Sequence, residues 1–408
     1  MDYELRPCTK DELPDFIRAC ETAFSEDIKD EDIERVSRVL EPERTLAVFD
    51  DGAIVATAGA YSFVMTVPGS EVPTAGVTFV GVLPSHRRKG LLRAMMKKQL
   101  EDSRSLEEPL AILWASEGAI YPRFGYGLAA LHASINLDRH MAVFRDELAP
   151  TGHARLLSED EALKVIPDVY ERVRIETPGM FARDQAWWEA HRLPDPEHHR
   201  GGAGPMFRVS IEIDGRAEAY AFYRVSSSWG DDGVHDGTLE VIEAVATGTV
   251  ATRELWHFLF GIDLVDRIKS YTLAVDHPLK LMLKEMRGLR MRVRDALWLR
   301  VIDVASALEA RTYGTTAKLV IELADDFCPW NAGTWELDSR VDGNAVTRTE
   351  KEPELRLTAE ELGAVYLGGT SWAELLRAGR VEELTVGAVA AADDLFSTDK
   401  APWCPEIF

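Results

Sequence analysis

The amino-acid sequence predicts a mixed α/β (α+β) fold in three consecutive blocks, and each block supplies one observation. Residues 1–141 alternate short apolar strands with apolar residues at helical spacing. Residues 142–296 repeat the order of hairpin, strand and helix. Residues 297–408 carry further amphipathic strand and helix patterns. A length of 408 residues agrees with two or three domains of roughly 100–200 residues each.

Local patterns define the elements of the first block. Apolar residues recur at helical spacing from Phe16 to Phe24, and Asp51-Gly52 is a typical two-residue hairpin turn. The predicted elements are a strand at Tyr3–Pro7, a helix at Asp11–Phe24, a hairpin over Thr45–Gly69, a strand at Thr74–Pro84, a helix to about Asp102, a strand at Leu110–Ser116 and a short helix at Glu117–Phe124.

The second block resembles the first in its order of elements. Strands are predicted at Gly215–Val225 and Thr238–Ala246, followed by a helix at Thr252–Asp263. One interpretation is a degenerate duplication that keeps the packing but has lost the basic loop of the first block. Two unrelated α+β units are the alternative. The third block ends in "APWCPEIF", and such an apolar end is expected to be docked.

Composition limits the function classes. A net charge of −23 disfavours binding to nucleic acid or to anionic membranes, and it suits a cationic substrate. The four cysteines are scattered without a CxxC pair, which predicts a reducing cytoplasm and no zinc site. No signal peptide and no apolar run of about 18 residues is apparent. His198 and His199 are interpreted as part of a solvated loop, so no metal is predicted.

One stretch, "TFVGVLPSHRRKGLLRAMM", concentrates positive charge at a strand-to-helix junction. Pro84 marks the boundary, Ser85 is the predicted N-cap, and the start of the helix favours an anion. Gly90 permits a close backbone approach. Arg87–Lys89 form one compact site rather than a repeated basic surface, so a pyrophosphate is the expected ligand. The stretch is neither a Walker A loop nor a GxGxxG fingerprint.

This stretch resembles the acetyl-CoA loop of GNAT acetyltransferases, a strand followed by Arg/Gln-x-x-Gly-x-Gly/Ala. The matching residues are Arg87 to Leu92, and Leu92 departs from the small residue of the pattern. A second element agrees: Ala119-Ile120-Tyr121 followed by Gly125-Tyr126 matches the family's segment after the fifth strand. Without this context, Arg87–Lys89 would be a solvated charge run and Tyr121 a core aromatic.

Three longer stretches extend the resemblance to nearly the whole chain. They are "PTAGVTFVGVLPSHRRKGLLRAMM", "ASEGAIYPRFGYG" and "LWLRVIDVASALEARTY", and they look like the Eis (enhanced intracellular survival) family of actinobacterial acetyltransferases. The resemblance implies a catalytic GNAT domain, a central degenerate GNAT-like domain and a C-terminal sterol-carrier-protein-like domain. It also implies acetyl-CoA as co-substrate, acetylation of amines on aminoglycosides, polyamines or lysines, and a homo-hexamer.

The same resemblance implies a role for individual residues. Tyr121 would be the general acid, and the C-terminal carboxylate of Phe408 the general base. The expected acetyl-CoA contacts are the backbones of Val80 and Val82, the loop residues Arg87, Arg88, Gly90 and Leu91, and Ser116. Glu26, Asp27, Phe79 and Glu406 are candidates for the pocket that binds a cationic amine. The alternatives are a packed apolar end at Phe408 and a solvated acidic face at Glu26 and Asp27.

Three functions follow as hypotheses. The favoured one is acetyl-CoA-dependent N-acetylation of a polycationic small molecule in the cytoplasm. The second is a lipid- or small-ligand-binding protein with a vestigial acetyltransferase loop, and it requires an apolar cavity after residue 297. The third is acetylation of protein lysines, which shares the chemistry and differs in the acceptor.

Overall fold

The computed structural model describes residues 3–146, 149–233, 235–340 and 342–408. The first 130 residues form a strand-rich block whose hairpin turns at Asp51 and Gly52, both at positive φ. Its elements are β1 (Glu4–Arg6), α1 (Leu13–Phe24), α2 (Asp30–Val36), β2 (Thr45–Asp50), β3 (Ala53–Val67), β4 (Ser70–Val82), α3 (Leu91–Ser105), β5 (Leu110–Trp114) and β6 (Gly127–Leu128).

The middle of the chain is a second set of strands and helices. Its elements are β7 (Leu131–Asp138), β8 (His153–Leu157), α4 (Glu159–Arg174), α5 (Gln185–Trp187), β9 (Phe207–Ile213), β10 (Arg216–Ser226), β11 (Thr238–Ala246), α6 (Thr249–Phe260), β12 (Arg267–Ala274), α7 (Leu279–Met282) and β13 (Arg292–Asp295). A π-helical turn, Trp188–Arg192, continues α5.

The last part of the chain adds a smaller sheet and four α-helices among the residues described there. Its elements are β14 (Leu297–Val301), α8 (Val304–Ala310), β15 (Lys318–Ala324), β16 (Gly333–Asp338), β17 (Ala345–Arg348), β18 (Leu355–Thr358), α9 (Ala359–Val365), α10 (Trp372–Arg377), β19 (Glu382–Glu383) and α11 (Ala388–Phe396).

Three sheets organise these strands. Their orders are β1-β2-β3-β4-β5-β14-β6, β13-β7-β12-β11-β10-β9-β8 and β17-β16-β15-β18-β19. The chain forms two compact units: residues 3–130, 296–399 and 407–408 make the first, and residues 131–295 and 400–406 make the second.

The sheets do not follow the expected boundaries after residues 141 and 296. Long-range pairing places β7 in the second sheet and β14 between β5 and β6 in the first.

The second unit buries an ion cluster beside its sheet. Arg183 donates to both carboxylate oxygens of Glu243, at 3.0 and 2.8 Å, and Arg192 donates to Glu243 at 2.8 Å. Tyr220 donates its hydroxyl proton to the same carboxylate at 2.6 Å. These arginines lower the pKa of Glu243 to about 2, although burial acts in the opposite direction. The carboxylate is therefore ionised and paired at neutral pH.

Replacing Glu243 with Gln is expected to lower the free energy of unfolding by about 3 kcal/mol, because it removes one of the carboxylates that neutralise Arg183 and Arg192. The folded pKa lies below the usual 4.5. The stabilisation is therefore present above that value and disappears as pH falls from there towards 2. Urea unfolding of both proteins at pH 7 and at pH 3 measures it. Glu240→Gln, on the same strand, is the matched control and should shift stability by less than about 0.5 kcal/mol. Equal stability of Glu243→Gln and wild type at pH 7 would contradict the assignment.

Two further features concern the length of the helices and the environment of the four cysteines. Among the described residues, no helix is both long and apolar enough to cross a bilayer. Cys8, Cys20, Cys328 and Cys404 are all unbridged and buried. Burial raises the pKa of the Cys20 thiol to about 12, so this group is an unreactive part of the core.

Candidate functional site

Strand β4 carries an irregularity where the site begins. Thr57 of β3 pairs with Gly81 and Gly59 pairs with Thr78, so Phe79 and Val80 form a bulge opposite one residue of β3. Phe79 has φ +51°, a conformation that is uncommon outside glycine. Thr57 stabilises it by donating its hydroxyl proton to the Phe79 carbonyl at 2.8 Å. The bulge changes the direction of the last residues of β4, Gly81 and Val82.

Strands β4 and β5 pair over a short distance only. Their parallel ladder runs from Thr74–Leu110 to Gly76–Ile112, whereas β4 continues to Val82. The end of β4 therefore has β3 on one side and no ladder to β5 on the other. On that side Val80 and Val82 have no ladder partner in β5, and the Val82 carbonyl accepts a hydrogen bond from Arg87 Nε at 3.2 Å instead.

The basic loop between β4 and α3 differs from the prediction in detail. Pro84–His86 form a 3-10 turn, Arg87 is extended, and Arg88 and Gly90 have φ +63° and +84°. Gly90, not Ser85, is the N-cap of α3, so the Ser85 prediction is wrong. The Ser85 hydroxyl is instead within hydrogen-bonding distance of His86 Nδ1, at 2.9 Å. The first α-helical turn starts five residues later than expected because the chain needs two left-handed residues before it.

A cleft of about 750 Å³ opens at this junction within the first unit. Such a volume is typical of a small-molecule site. The lining comes from the end of α1, the end of β4, the basic loop, the start of α3 and the segment after β5. The lining residues are Ala23, Phe24, Ser25, Val80, Gly81, Val82, His86, Arg87, Arg88, Gly90, Leu91, Leu92, Arg93, Ser116, Glu117, Ile120, Tyr121, Arg123 and Phe124.

The cleft collects all seven residues predicted to hold the cofactor. Val80, Val82, Gly90, Leu91 and Ser116 all line it, together with the two arginines of the loop. In α3 the first intrahelical hydrogen bond runs from the Ala94 N–H to the Gly90 carbonyl. The backbone N–H groups of the three residues before Ala94 therefore have no intrahelical acceptor. These N–H groups and the positive end of a 15-residue helix favour an anion.

The three cations of the loop, Arg87, Arg88 and Lys89, have different environments. Arg87 is tied to the protein: Nε donates to the Val82 carbonyl at 3.2 Å and Nη2 to the Ala23 carbonyl at 3.0 Å. Arg88 is exposed and lines the cleft. Lys89 does not line it, and its ammonium lies 5.8 Å from the centre of the Tyr3 ring. Arg87 thus shapes the loop, and Arg88 is the loop cation best placed for an anion.

Two further cations of the cleft were missed by the sequence analysis. Arg93, in the first turn of α3, and Arg123, in the turn after β5, both line it. Arg93 lies 5.1 Å from the Phe327 ring centre, and Arg123 6.0 Å from that of Phe124. Each is an isolated cation in the sequence. The one signal in the sequence that could have suggested a role in anion binding was the position of each arginine, on the helix or the turn near the Arg87–Lys89 cluster.

Tyr121 lies in the wall of the cleft and is 5% exposed. The predicted short helix at Glu117–Phe124 is wrong: a turn leads into a 3-10 segment, Tyr121–Phe124, which ends at Gly125 with φ +82°. Pro122 at the start of that segment suits a single tight turn. Burial raises the pKa of Tyr121 to about 12, so its phenol is protonated at neutral pH. The arrangement offers a proton donor beside an anion-binding loop.

The C-terminal residue lies against an aromatic tract of the first unit, which we define as Phe63, Tyr61 and Phe79. The ring of Phe408 meets Phe63 edge-on, with centroids 5.0 Å apart. Phe63 stacks on Tyr61 at 5.7 Å, and Tyr61 meets Phe79 at 6.3 Å. Phe79 directly precedes Val80 of the cleft wall. The apolar terminus is docked, as expected, although Phe408 is not among the residues that line the cleft.

The acidic candidates for the amine pocket have different environments. Glu26 and Asp27 are exposed and directly follow Ser25 of the cleft wall. Glu406 is 3% exposed and belongs to the ion cluster of the second unit. Its carboxylate lies 2.9 Å from Arg183 and accepts a hydrogen bond from the Trp187 indole at 3.1 Å. Because this carboxylate is already paired with Arg183 and Trp187, it is not free to bind a cationic amine.

The chain is similar to known acetyltransferases over nearly its whole length. Models of an acetyltransferase (GNAT) domain match residues 4–129 and 179–301, and a model of a sterol carrier protein domain matches residues 304–405. An uncharacterized N-acetyltransferase of Streptomyces avermitilis is 41% identical over 372 residues, which is 90% of each chain. The N-acetyltransferase Eis of Mycobacterium tuberculosis is 34% identical over 410 residues, or 96% of each chain. The crystal structure of Eis1 from Mycobacterium abscessus matches with a TM-score of 0.84, 33% identity and full coverage of both chains.

Proposed function

Because the chain belongs to the Eis family of GNAT N-acetyltransferases, we propose that it transfers an acetyl group from acetyl-CoA to an amine of a polycationic small molecule. Two GNAT domains and a sterol carrier protein domain make up this family architecture. The observation that carries the proposal is the cleft of the first GNAT domain, which is lined by the start of a helix that favours anions, by arginine side chains and by a buried, protonated phenol.

The chemistry of the cleft fits acetyl-CoA. The free N–H groups at the start of α3, with Arg88, Arg93 and Arg123, would hold the diphosphate. The backbone of Val80 and Val82, together with Ser116, would hold the pantetheine arm. When bound, acetyl-CoA supplies the activated acetyl thioester.

Tyr121 would donate its phenolic proton to the departing sulfur. Its raised pKa of about 12 keeps the proton in place until negative charge develops on that sulfur. A thiol has a pKa near 8.5 in water, so proton transfer from the phenol is uphill there. The same burial raises the pKa of the departing thiol as well as that of Tyr121, because both anions lose hydration in the cleft.

The carboxylate of Phe408 would accept the proton of the attacking amine. The aromatic tract anchors the ring of Phe408 and so limits where its carboxylate can lie. The tract also continues to Phe79, whose exposed part would contact the acceptor. Glu26 and Asp27 would attract a cationic amine at the neighbouring rim, and the net charge of −23 acts in the same direction at long range.

A thiol-release screen tests the acceptor class. The panel comprises aminoglycosides, linear polyamines and lysine peptides at equal concentration, with acetyl-CoA alone as the background. The proposal expects turnover with the small polycations well above the peptides. Turnover with lysine peptides alone would replace the proposed acceptor with protein lysines. The absence of thiol release with every amine would contradict amine acetylation.

Replacing Arg88 with Ala is expected to raise the dissociation constant of coenzyme A about 3–10-fold, since an exposed charged contact contributes roughly 1 kcal/mol. The loss should shrink at high salt. Titration calorimetry with coenzyme A at low and high ionic strength measures both effects. Lys89→Ala removes the adjacent charge outside the cleft and should change the constant by less than twofold. Equal weakening by both variants would mean that the loop acts through net charge alone.

Two further parts of the proposal concern the oligomeric state of the protein and its location in the cell. A homo-hexamer is part of the proposal, and sedimentation velocity of the full chain measures it directly. A cytoplasmic location agrees with four cysteines that are all free of disulfide bonds.

A further inference from the structure

A loop of the sterol carrier protein domain lies behind the turn that carries Tyr121. We define this supporting loop as Asp325–Asn331, between β15 and β16. Phe327 and Cys328 belong to the same buried core as Tyr121 and Phe124. The rings of Phe124 and Phe327 have centroids 5.0 Å apart. The wall of the cleft is therefore backed by residues about 200 positions later in the chain.

One fully buried arginine connects this supporting loop to the turn. Arg300 of β14 donates from Nη2 to the Asp325 carboxylate at 2.5 Å, and neither side chain is more than 2% exposed. The same carboxylate accepts the Cys328 backbone N–H at 2.9 Å and the Asn331 side-chain amide at 3.2 Å. Asp325 thus fixes Arg300 and the fold of the supporting loop together.

The other side of Arg300 faces the turn itself. A side-chain carbon added to Gly125 would lie 2.4 Å from Arg300 Nη1, so the guanidinium rests directly on the backbone at Gly125. Arg300 Nε and Nη1 have no oxygen acceptor among the described residues. A buried arginine with unsatisfied N–H groups costs stability, and an apolar residue of similar volume often stabilises such a position. Stability alone does not explain why an arginine occupies this position.

The contact reaches Tyr121 through one aromatic ring. Tyr126 follows Gly125, is fully buried and meets Tyr121 edge-on with centroids 5.8 Å apart. Burial raises the pKa of Tyr126, and the Arg300 charge acts in the opposite direction, which reflects their closeness. Helix α9 closes the same turn from behind. A side-chain carbon on Gly127 would lie 1.9 Å from the Glu360 carbonyl oxygen.

We propose that Arg300, held by Asp325, is a positioning residue that sets the Tyr121 turn for proton donation. The sterol carrier protein domain then has a second task besides carrying the C-terminus: its supporting loop forms the rigid back of the catalytic wall. This inference rests on the proposed function, because it needs Tyr121 to be the proton donor. It adds that the efficiency of the donor depends on a charge pair that never touches substrate.

A double-mutant cycle on kcat tests the proposal. Arg300→Met should lower kcat about 10–100-fold, as expected when a reacting group moves by about 1 Å. The KM for acetyl-CoA should change less than threefold. In a Tyr121→Phe background, Arg300→Met should have no further effect on kcat. Arg300→Lys, which keeps the charge, should recover part of the loss.

Arg311→Met is the matched control for the removal of a buried arginine from this domain. Arg311 is 1% exposed and donates to the carbonyls of Tyr366, Thr312 and Phe396. It should lower stability and leave kcat within twofold. Amide hydrogen exchange is the readout that does not depend on turnover. Exchange over residues 118–128 should accelerate in Arg300→Met and not in Arg311→Met.

The outcomes separate the two proposals. Full activity of Tyr121→Phe would overturn the proposed proton donor and the inference with it. Loss of activity in Tyr121→Phe, combined with an additive or absent effect of Arg300→Met, would overturn the inference alone. If Arg300→Met does not fold, Asp325→Asn replaces it in the cycle, because it keeps the shape and removes the charge. The same non-additivity then supports the proposal, and additivity overturns it.

Discussion

Replacing Tyr121 with Phe is expected to lower kcat by about 10²–10⁴-fold, the range for loss of a positioned general acid. The ring is kept, so its edge-on contact with Tyr126 and its place in the cleft wall are retained. The dissociation constant of coenzyme A should therefore change less than about threefold. Steady-state thiol release gives kcat, and calorimetry gives the binding constant.

The pH profile adds a second check on the same residue. Because the pKa of Tyr121 is about 12, the phenol remains protonated through the usual assay range. Ionisation of Tyr121 should therefore cause no fall in kcat/KM between pH 7 and about pH 10. Tyr126→Phe is the matched control, since the Tyr126 hydroxyl is buried without a hydrogen bond among the described residues. It should keep kcat within about threefold. An equal loss in both variants would show that the aromatic pair is structural.

Local patterns in the sequence predicted much of the fold. The Asp51-Gly52 hairpin and helix α1 were predicted correctly because turn chemistry and helical periodicity act over a few residues. The degenerate second GNAT domain was also anticipated, and a GNAT model matches residues 179–301. The exchange of β7 and β14 between blocks was not predicted, since strand pairing over more than 100 residues leaves no local pattern.

Some parts of the candidate site could be predicted and others could not, again because local patterns are visible in the sequence and tertiary contacts are not. The Arg87–Gly90 loop could be recognised because an anion site at a helix start needs a cation and a glycine close together in sequence. The start of α3 was misplaced at Ser85, because two left-handed residues before a helix are a tertiary feature. Arg300 and its supporting loop could not be found, since their relation to Tyr121 exists only through packing.

Extending the chain beyond Phe408 is expected to lower kcat by about 10²–10⁴-fold, because it converts the terminal carboxylate into a neutral amide. A single added glycine is enough, and it leaves the ring of Phe408 on Phe63. Deleting Phe408 should lower kcat by at least as large a factor. It moves the carboxylate back by one residue, about 3.8 Å along the chain, and removes the aromatic anchor. Thiol release with the best acceptor of the screen measures both variants.

Three comparisons isolate the carboxylate from the ring. A glycine added at the N-terminus is the matched control and should leave kcat unchanged. Phe408→Ala keeps a terminal carboxylate but loses its contact with the aromatic tract, so we expect a loss smaller than that of the extension. Added formate or acetate should restore part of the activity of the extended chain, because a small carboxylate can accept the proton of the amine in its place. Full activity of the extended chain would assign the base to another group, and Glu26 and Asp27, exposed beside the cleft wall, would be the first carboxylates to replace.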